Sequence, residues 1–347
     1  MKALVKYDYG PGNMEIRDVP EPECKKDHVK IKIHQCGICG SDLHIYQSDI
    51  AISIKPPVIT GHEFSGVIVE VGENVKDFKV GDRVVSEAGD CFCENCDCCN
   101  DGYANICPER KSFGYWFNGG FASYAVIPAK RVHKIPDNIS LDLAALTEPL
   151  ACVCHAIYDM CYIRAGDVVL ITGPGAIGLM ALQIAKAEGA TTIITGIDSD
   201  ETRLKLAKDE FGADYIVNVQ KENLQNIIDK ATNLRGVDVV LECSGSEAAI
   251  DNGLQMIKKR GYFVQIGLPG KKILFDIEKI CYKELNFRGA MASRNHSWKK
   301  ALYMMSSGLI KLEKLVDVKL PLTQWEQAFV RFKNQDGIKF FLIPEND

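Results

Sequence analysis

The spacing of apolar residues changes character near Pro149. Before it, short alternating or β-branched runs such as HVKIKI (28–33), SGVIVEVG (65–72) and DRVVS (82–86) are separated by glycine, proline and aspartate, which predicts a mostly β region. After it, ACVCHAIYDM (151–160) reads as a helix, and GDVVLITG (166–173) reads as a buried strand ending in a glycine loop. The strand-like runs DVVLIT, TTIITGI, YIVNV, DVVLECSG and YFVQIGL then alternate with helix-like segments, including LMALQIAKAEG, ETRLKLAKDEFG and NLQNIIDKATN. Such alternation predicts a parallel sheet with helices on both faces. Beyond about residue 288 it lapses, and two amphipathic segments, SWKKALYMMSSG and TQWEQAFVRFKNQ, precede a last strand-like KFFLIP. Periodicity leaves open whether this tail extends the second domain or returns to the first. The expected division is 1–150, 151–288 and 289–347, without internal repeats.

The first run of the second region leads into Gly173-Pro174-Gly175-Ala176-Ile177-Gly178, a G-x-G-x-x-G match between a strand and a helix. In that setting the first glycine permits a tight turn, the second lets backbone approach a pyrophosphate, and the third allows close helix–sheet packing, with helix N–H groups facing the phosphates. An acidic residue about 20 positions further on takes the ribose hydroxyls of NAD. Asp198 stands at that distance, while Gly196 occupies the strand-end position where an acid is also expected. Arg203 offers a cation for the 2′-phosphate of NADP, so NAD is the favoured cofactor with NADP open. The alternative makes Asp198 or Ser199 the cap of the helix ETRLKLAK and Arg203 a solvated helix charge.

Composition narrows the function. The chain has 347 residues and a net charge of -5 without long blocks of one sign, against a nucleic-acid or anionic-membrane binder. No run approaches about 18 consecutive apolar residues, and MKALVKYDYG has no signal-like apolar core, so a cytoplasmic protein is expected. Fourteen cysteines in such a chain point to metal rather than disulfides, because six of them fall between Cys91 and Cys107.

Cys93, Cys96, Cys99 and Cys107 have the spacing C-x2-C-x2-C-x7-C in a loop without strand pattern. Four thiolates wrap one zinc ion tetrahedrally and leave no position for substrate, so this site would hold a loop. Cys91 and Cys98 keep other ligand sets, an iron–sulfur cluster or a thiol switch open. A second constellation offers an open site: Cys39 in GICGSDLH (37–44), His62 and Glu63 in GHE (61–63), and Glu148 in TEPLAC. Three protein ligands plus an exchangeable position suit a catalytic zinc, with manganese or cobalt as alternatives. Singly, His62, Cys39 and Glu148 read as a core histidine, a small core residue and a helix-start charge.

GICGSDLH, GHEFSGVIVEVG (61–72), FKVGDRV (78–84), the four-cysteine lobe, EPLACVCHA (148–156) and GPGAIG (173–178) together resemble the zinc-dependent medium-chain dehydrogenases and reductases, in family order across nearly the whole chain. Within it, EPLACVCHA and GICGSDLH look like the polyol branch of sorbitol, butanediol and pentitol-phosphate dehydrogenases. MKAL, DVPEPE and HIY are also similar to threonine dehydrogenases, which differ at SEAGD (86–90) and EPLACV. The resemblance implies a GroES-like, mostly β catalytic domain with a structural zinc lobe (about 89–108), a Rossmann cofactor domain, and a C-terminal segment folding back onto the catalytic domain. It implies two zinc ions per chain, with Glu63 or Glu148 acting at longer range or through water. Ser41 and His44 match proton-relay positions, and Arg294 in MASRNHSW (291–298) matches a substrate-facing arginine. Tyr46, Phe113 and Trp116 are candidate pocket walls.

The activity so implied is reversible oxidation of a secondary alcohol of a polyol or polyol phosphate to the ketose, a Lewis acid easing loss of the alcohol proton while hydride passes to NAD(P). The rivals are a threonine or simple secondary-alcohol dehydrogenase and, in another class, a zinc-stabilised redox sensor. Neither a membrane nor a nucleic acid is expected as partner; the acidic DCFCENCDCCNDG argues against the latter. A homodimer or homotetramer is expected through the cofactor-domain sheet edge, for which GYFVQIGL is a candidate strand, although a buried central strand explains that run equally.

Overall fold

Strand β1 (His28–Gly37) buries Val29, Ile31 and Ile33 and exposes Lys32 and His34, then buries Gln35, Cys36 and Gly37 in succession. That break in alternation marks where the strand runs into the interior. The computed structural model describes residues 1–90 and 92–345, so Cys91 lies outside the described residues. Contacts divide the chain into two units, one of Met1–Pro149, Arg294–Ser306 and the chain from Leu312, the other of Leu150–Ser293 and Ser307–Lys311.

In the first unit, helix α1 (Gly40–Gln47) follows β1, and then come β2 (Glu63–Val71), β3 (Arg83–Ser86), β4 (Tyr124–Pro128) and β5 (Val132–Lys134). Antiparallel pairing runs β5-β3-β2-β1, and β4 takes the first half of β1. The register sets Gly37 opposite Glu63 and Cys36 opposite Phe64. It therefore brings Cys39, just past β1, and His62, just before β2, to one end of the sheet. Ile31, Phe64, Ile68, Phe121 and Ile127 fill the core beneath.

Helix α2 (Thr147–Tyr158) precedes the second unit's sheet, built from β6 (Val168–Thr172), β7 (Thr191–Gly196), β8 (Tyr215–Asn218), β9 (Val237–Glu242), β10 (Ile257–Gln265) and β11 (Asn286–Gly289). All neighbours are parallel in the order β8-β7-β6-β9-β10-β11. Between these strands stand α3 (Ala176–Ala187), α4 (Glu201–Asp209), α5 (Leu224–Thr232) and α6 (Glu247–Met256). This is the doubly wound Rossmann order, with its switch point between β6 and β9. Both strands are buried end to end, β6 as its apolar run requires and β9 with Asp238 and Glu242 buried among its valines and leucine. The run GYFVQIGL falls largely in β10, inside the sheet, and β11 is the edge.

The tail, after α7 (Asn295–Ser306), adds β12 (Val316–Pro321), α8 (Trp325–Lys333) and β13 (Lys339–Ile343) to the first unit. β13 runs antiparallel to β1, Phe341 opposite Gly37 and Leu342 opposite Cys36, and parallel to β12. Trp325, Phe329, Phe340 and Leu342 join the first core. Among the described residues no helix is long and apolar enough to cross a membrane.

Candidate active site and metal centres

The β1–β2 register gathers Cys39, His62 and Glu63, whose ligand atoms all lie within 4.8 Å of one another. Small adjustments would bring them onto an ion bonded at about 2.0–2.3 Å. Cys39 is the N-cap of α1, and its amide donates to Asp42 Oδ2 at 2.8 Å. Asp42 is fully buried, and its Oδ1 stands 3.9 Å from His62 Nδ1, neither atom having a hydrogen-bond partner. A small turn of the ring would close a carboxylate–imidazole hydrogen bond of the kind that orients metal-ligating histidines. A thiol, an imidazole and a carboxylate that converge in this way, with a buried carboxylate placed to orient the imidazole, fit a zinc ion.

Charge sharpens that fit. Burial pulls the His62 imidazole down, but its hydrogen bond to Cys39 and the charges of Asp42, Cys39 and Glu148 outweigh this and hold it at about 10. Burial pushes Asp42 up to about 6 against the opposing pull of His62. Glu148 acts electrostatically on His62, Tyr115 and Lys339, and so stands in the same neighbourhood. Glu63 is paired with the buried Lys339 of β13, which also donates to the Ile38 carbonyl at 2.9 Å. A Cβ on Gly37 would lie 2.4 Å from Glu63 Oε2 and 3.1 Å from Lys339 Cε, so any larger residue there would have to displace this buried pair.

Ser41 Oγ accepts a hydrogen bond from Tyr115 Oη at 2.8 Å, and the Tyr115 ring lies 5.4 Å from the His62 ring. Burial holds the Tyr115 phenol well above its ordinary range, so it stays a donor. His44 Nδ1 is 2.9 Å from Asp49 Oδ1. Tyr46 packs edge-on against Trp325 and Phe329 at 5.7 and 6.2 Å, and Phe113 is buried beside Phe117. Trp116 is flanked by the ammonium groups of Lys111 at 4.7 Å and Lys55 at 5.9 Å from its ring centre. The Lys55 amide donates to the Tyr115 carbonyl at 2.9 Å.

In the lobe, Cys93 Sγ lies 3.9 Å from Cys99 Sγ and 3.5 Å from Cys107 Sγ. The edge of a tetrahedron with zinc–sulfur bonds of about 2.3 Å is roughly 3.8 Å. Amides of Cys96 and Cys93 donate to Cys93 Sγ and Cys107 Sγ, and the Asn95 amide draws the Cys93 thiol down to about 7. These sulfurs fit zinc. Arg294 stands on the lobe: its Nε donates to the Gly102 carbonyl at 2.8 Å, and its guanidinium lies 4.1 Å from the centre of the Tyr103 ring.

In the second unit the glycine loop joins β6 to α3. Gly173 turns at φ 88°, a Cβ on Gly178 would lie 1.9 Å from the Gly173 carbonyl, and one on Gly175 would meet nothing within 4 Å. A tight turn, a close packing point and an open approach are the three features a bound dinucleotide needs, so the loop fits NAD. Ala176 and Ile177 begin α3. Asp198 Oδ1 accepts from Asn218 at 2.7 Å and Lys221 at 3.0 Å, which hold it below the usual carboxylate range. Asp200, rather than Asp198 or Ser199, is the N-cap of α4; its carboxylate accepts from the Ile197 amide at 3.1 Å and so closes the short 3-10 turn Asp198–Asp200 that leads into the helix. Asp200 also accepts from Arg203 at 3.2 Å.

Asp42, Tyr115 and Lys339 are functional neighbours that motif reading passed over. Asp42 carried a signal, since it sits three residues after Cys39 where a side chain caps the helix start. Lys339 carried none beyond its place at the head of an apolar strand.

Residues 25–137 match the alcohol dehydrogenase GroES-like domain, and residues 176–307 match the zinc-binding dehydrogenase family. The chain is 41% identical to a sorbitol dehydrogenase of Halalkalibacterium halodurans over 99% of each. It is 40% identical to a D-arabitol-phosphate dehydrogenase of Enterococcus avium over 99% of this chain and 97% of that one. An L-threonine 3-dehydrogenase of a Marinomonas species is 39% identical over 95% of each. With two zinc-fitting sites and a dinucleotide loop in one chain, the protein belongs to the zinc-dependent medium-chain dehydrogenases, in their polyol dehydrogenase branch, and is an NAD(P)-linked alcohol dehydrogenase.

Proposed function

We propose that the protein reversibly oxidises a secondary alcohol of a polyol or polyol phosphate to the ketose, with NAD as hydride acceptor. The gathering of Cys39, His62 and Glu63 beside a tethered serine hydroxyl carries this reading. Zinc held by Cys39 and His62, with Glu63 and Glu148 close by, would supply Lewis acidity, and NAD would take the hydride. The chain's own part is the proton. A hydroxyl has one hydrogen and two acceptor sites, and with Tyr115 donating to Ser41 Oγ the serine hydrogen is left to pass on as the alcohol proton arrives. His44 lies three residues along α1, on the same face as Ser41. Its Nδ1 is taken by Asp49, which leaves Nε2 for the proton and a carboxylate to stabilise the imidazolium.

NAD is favoured over NADP by Asp198, whose negative charge Asn218 and Lys221 sustain, and by Arg203, whose guanidinium engages Asp200. A phosphorylated substrate is supported by Lys55 and Lys111, which flank Trp116 next to Tyr115 and have no carboxylate partner among the described residues. Self-association is supported by β11, an edge strand, and by the exposed Leu274, Ile277 and Tyr282 on the chain that leads to it. The test is NADH formation at 340 nm by zinc-loaded protein against sorbitol, xylitol, arabitol, their phosphates, butanediol and threonine. Turnover of one polyol or its phosphate ahead of the others supports the reading; turnover of threonine alone overturns it.

A further inference from the structure

The Glu242 carboxylate, at the carboxyl end of β9, is 0% exposed, and no lysine or arginine pairs with it among the described residues. Neutral donors surround it instead. Its Oε1 accepts from Thr172 Oγ1 at 3.0 Å, from the Ser244 amide at 2.9 Å, from the Gly245 amide at 3.1 Å and from Ser244 Oγ. Its Oε2 accepts from the Gly245 amide at 3.0 Å and from the Gln265 side chain. A carboxylate removed from water this fully is tolerable only when its lone pairs are met by donors.

The donors come from three adjoining strand ends. Thr172 closes β6 and precedes Gly173; Ser244 and Gly245 follow β9; Gln265 closes β10 and also donates to the Gly267 carbonyl at 2.7 Å. β6 and β9 flank the switch point, outside whose carboxyl ends ligands of such sheets bind. The Ser244 side chain is also the wall against which the glycine loop turns, since a Cβ on Gly173 would lie 2.9 Å from Ser244 Cβ. The Cys243 amide ties the same loop to the Thr172 carbonyl at 3.0 Å.

We propose that Glu242 is a positioning residue for the dinucleotide: it locks the 243–245 loop and the end of β6 together, so that the crevice beside Gly173 is shaped before NAD arrives. Preorganisation of this kind is felt in affinity, because the ordering cost has been met in advance. Every neighbour donates to Glu242, so Glu242→Gln keeps the shape and turns one acceptor into a donor aimed at donors. NADH affinity, titrated by cofactor fluorescence and counted per folded site, is expected to fall about tenfold to a hundredfold. KM for NAD should rise in step, with kcat at saturating cofactor within twofold of the parent and the zinc content unchanged. Mere loss of stability would lower the folded fraction and leave the affinity of each folded site intact, so folded Glu242→Gln with parental NADH affinity overturns the proposal. Ser244→Ala and Thr172→Val decide the matter if that variant fails to fold: weakened NADH binding in both supports the lock, and parental binding in both overturns it.

Discussion

The Lys339 ammonium is buried against the Glu63 carboxylate, so the last strand of the chain supplies the counter-charge to one of the three groups that converge at the candidate metal site. Pairing of β13 with β1, Phe341 opposite Gly37, sets that meeting. Removing one partner of a buried pair strands the other charge and costs about 3–5 kcal/mol. Lys339→Met is expected to lower the thermal midpoint of the first unit, and Lys339→Met with Glu63→Gln to recover most of the loss. A single variant that melts like the parent would show that the pair contributes nothing.

His62 links metal binding to pH. In the metal-free protein its imidazole holds a proton up to about 10, and a ligating imidazole must give that proton up. Apparent zinc affinity is therefore expected to rise about tenfold per pH unit for this one proton, levelling off near pH 10. Calorimetric titration at pH 7.5 in two buffers of different ionisation enthalpy should count at least one proton released per ion at the catalytic site. The stability sign follows as well. A folded-state value raised above the ordinary 6.5 contributes stability that is full below pH 6.5 and fades as pH rises towards 10, so metal-free protein should melt lower across that interval. A melting point flat from pH 6.5 to 10 would refute the charged imidazole.

Tyr115 tethers Ser41, the serine that starts the proposed proton route. Tyr115→Phe keeps the ring against His62 and removes only the donor to Ser41. A hydrogen bond of this type contributes about 0.5–1.5 kcal/mol, so kcat/KM should fall roughly twofold to tenfold. In a Ser41→Ala background the same change should cost nothing further, because the partner is gone. Equal losses in both backgrounds would place Tyr115 outside the relay.

Much of this arrangement was legible in the residues. Period-two runs such as HVKIKI became β1, and the valine- and leucine-rich DVVLIT and DVVLEC became central parallel strands, because burial on both faces removes alternation. The four-cysteine spacing and the GHE and GICGSDLH motifs led to the sulfurs and the imidazole that the structure gathers. The partners of those groups were not legible. Lys339 reaches Glu63 only through a strand pairing across most of the chain, and nothing local in KFFLIP announces it. Tyr46 looked like a pocket wall, yet it packs on Trp325 and Phe329 of a helix that sequence spacing could not bring near. Asp200 rather than its neighbours starts α4 because a 3-10 turn, Asp198–Asp200, intervenes and puts the helix start later than spacing suggested.

Recognition of a phosphate offers the last contrast, between Arg294 and the lysines at Trp116. Arg294 matches a substrate-facing position by motif, while its guanidinium lies over Tyr103 and its Nε is spent on the Gly102 carbonyl. Both contacts are to the lobe that carries Cys99 and Cys107. Arg294→Ala is therefore expected to speed zinc loss from the lobe to a chelator, read with a chromogenic zinc indicator, and to leave KM for a polyol phosphate within twofold. Lys55→Ala with Lys111→Ala should do the opposite: lobe zinc retained, KM for the phosphorylated substrate raised about tenfold, and KM for the free polyol unchanged. One exposed and one half-buried cation at the surface contribute to a phosphate only modestly and largely through solvent, so that effect should shrink as salt rises from about 50 to about 300 mM. If Arg294→Ala alone raises KM for the phosphate ester while the lobe keeps its zinc, the arginine is the recognition group and the lysines are surface charge.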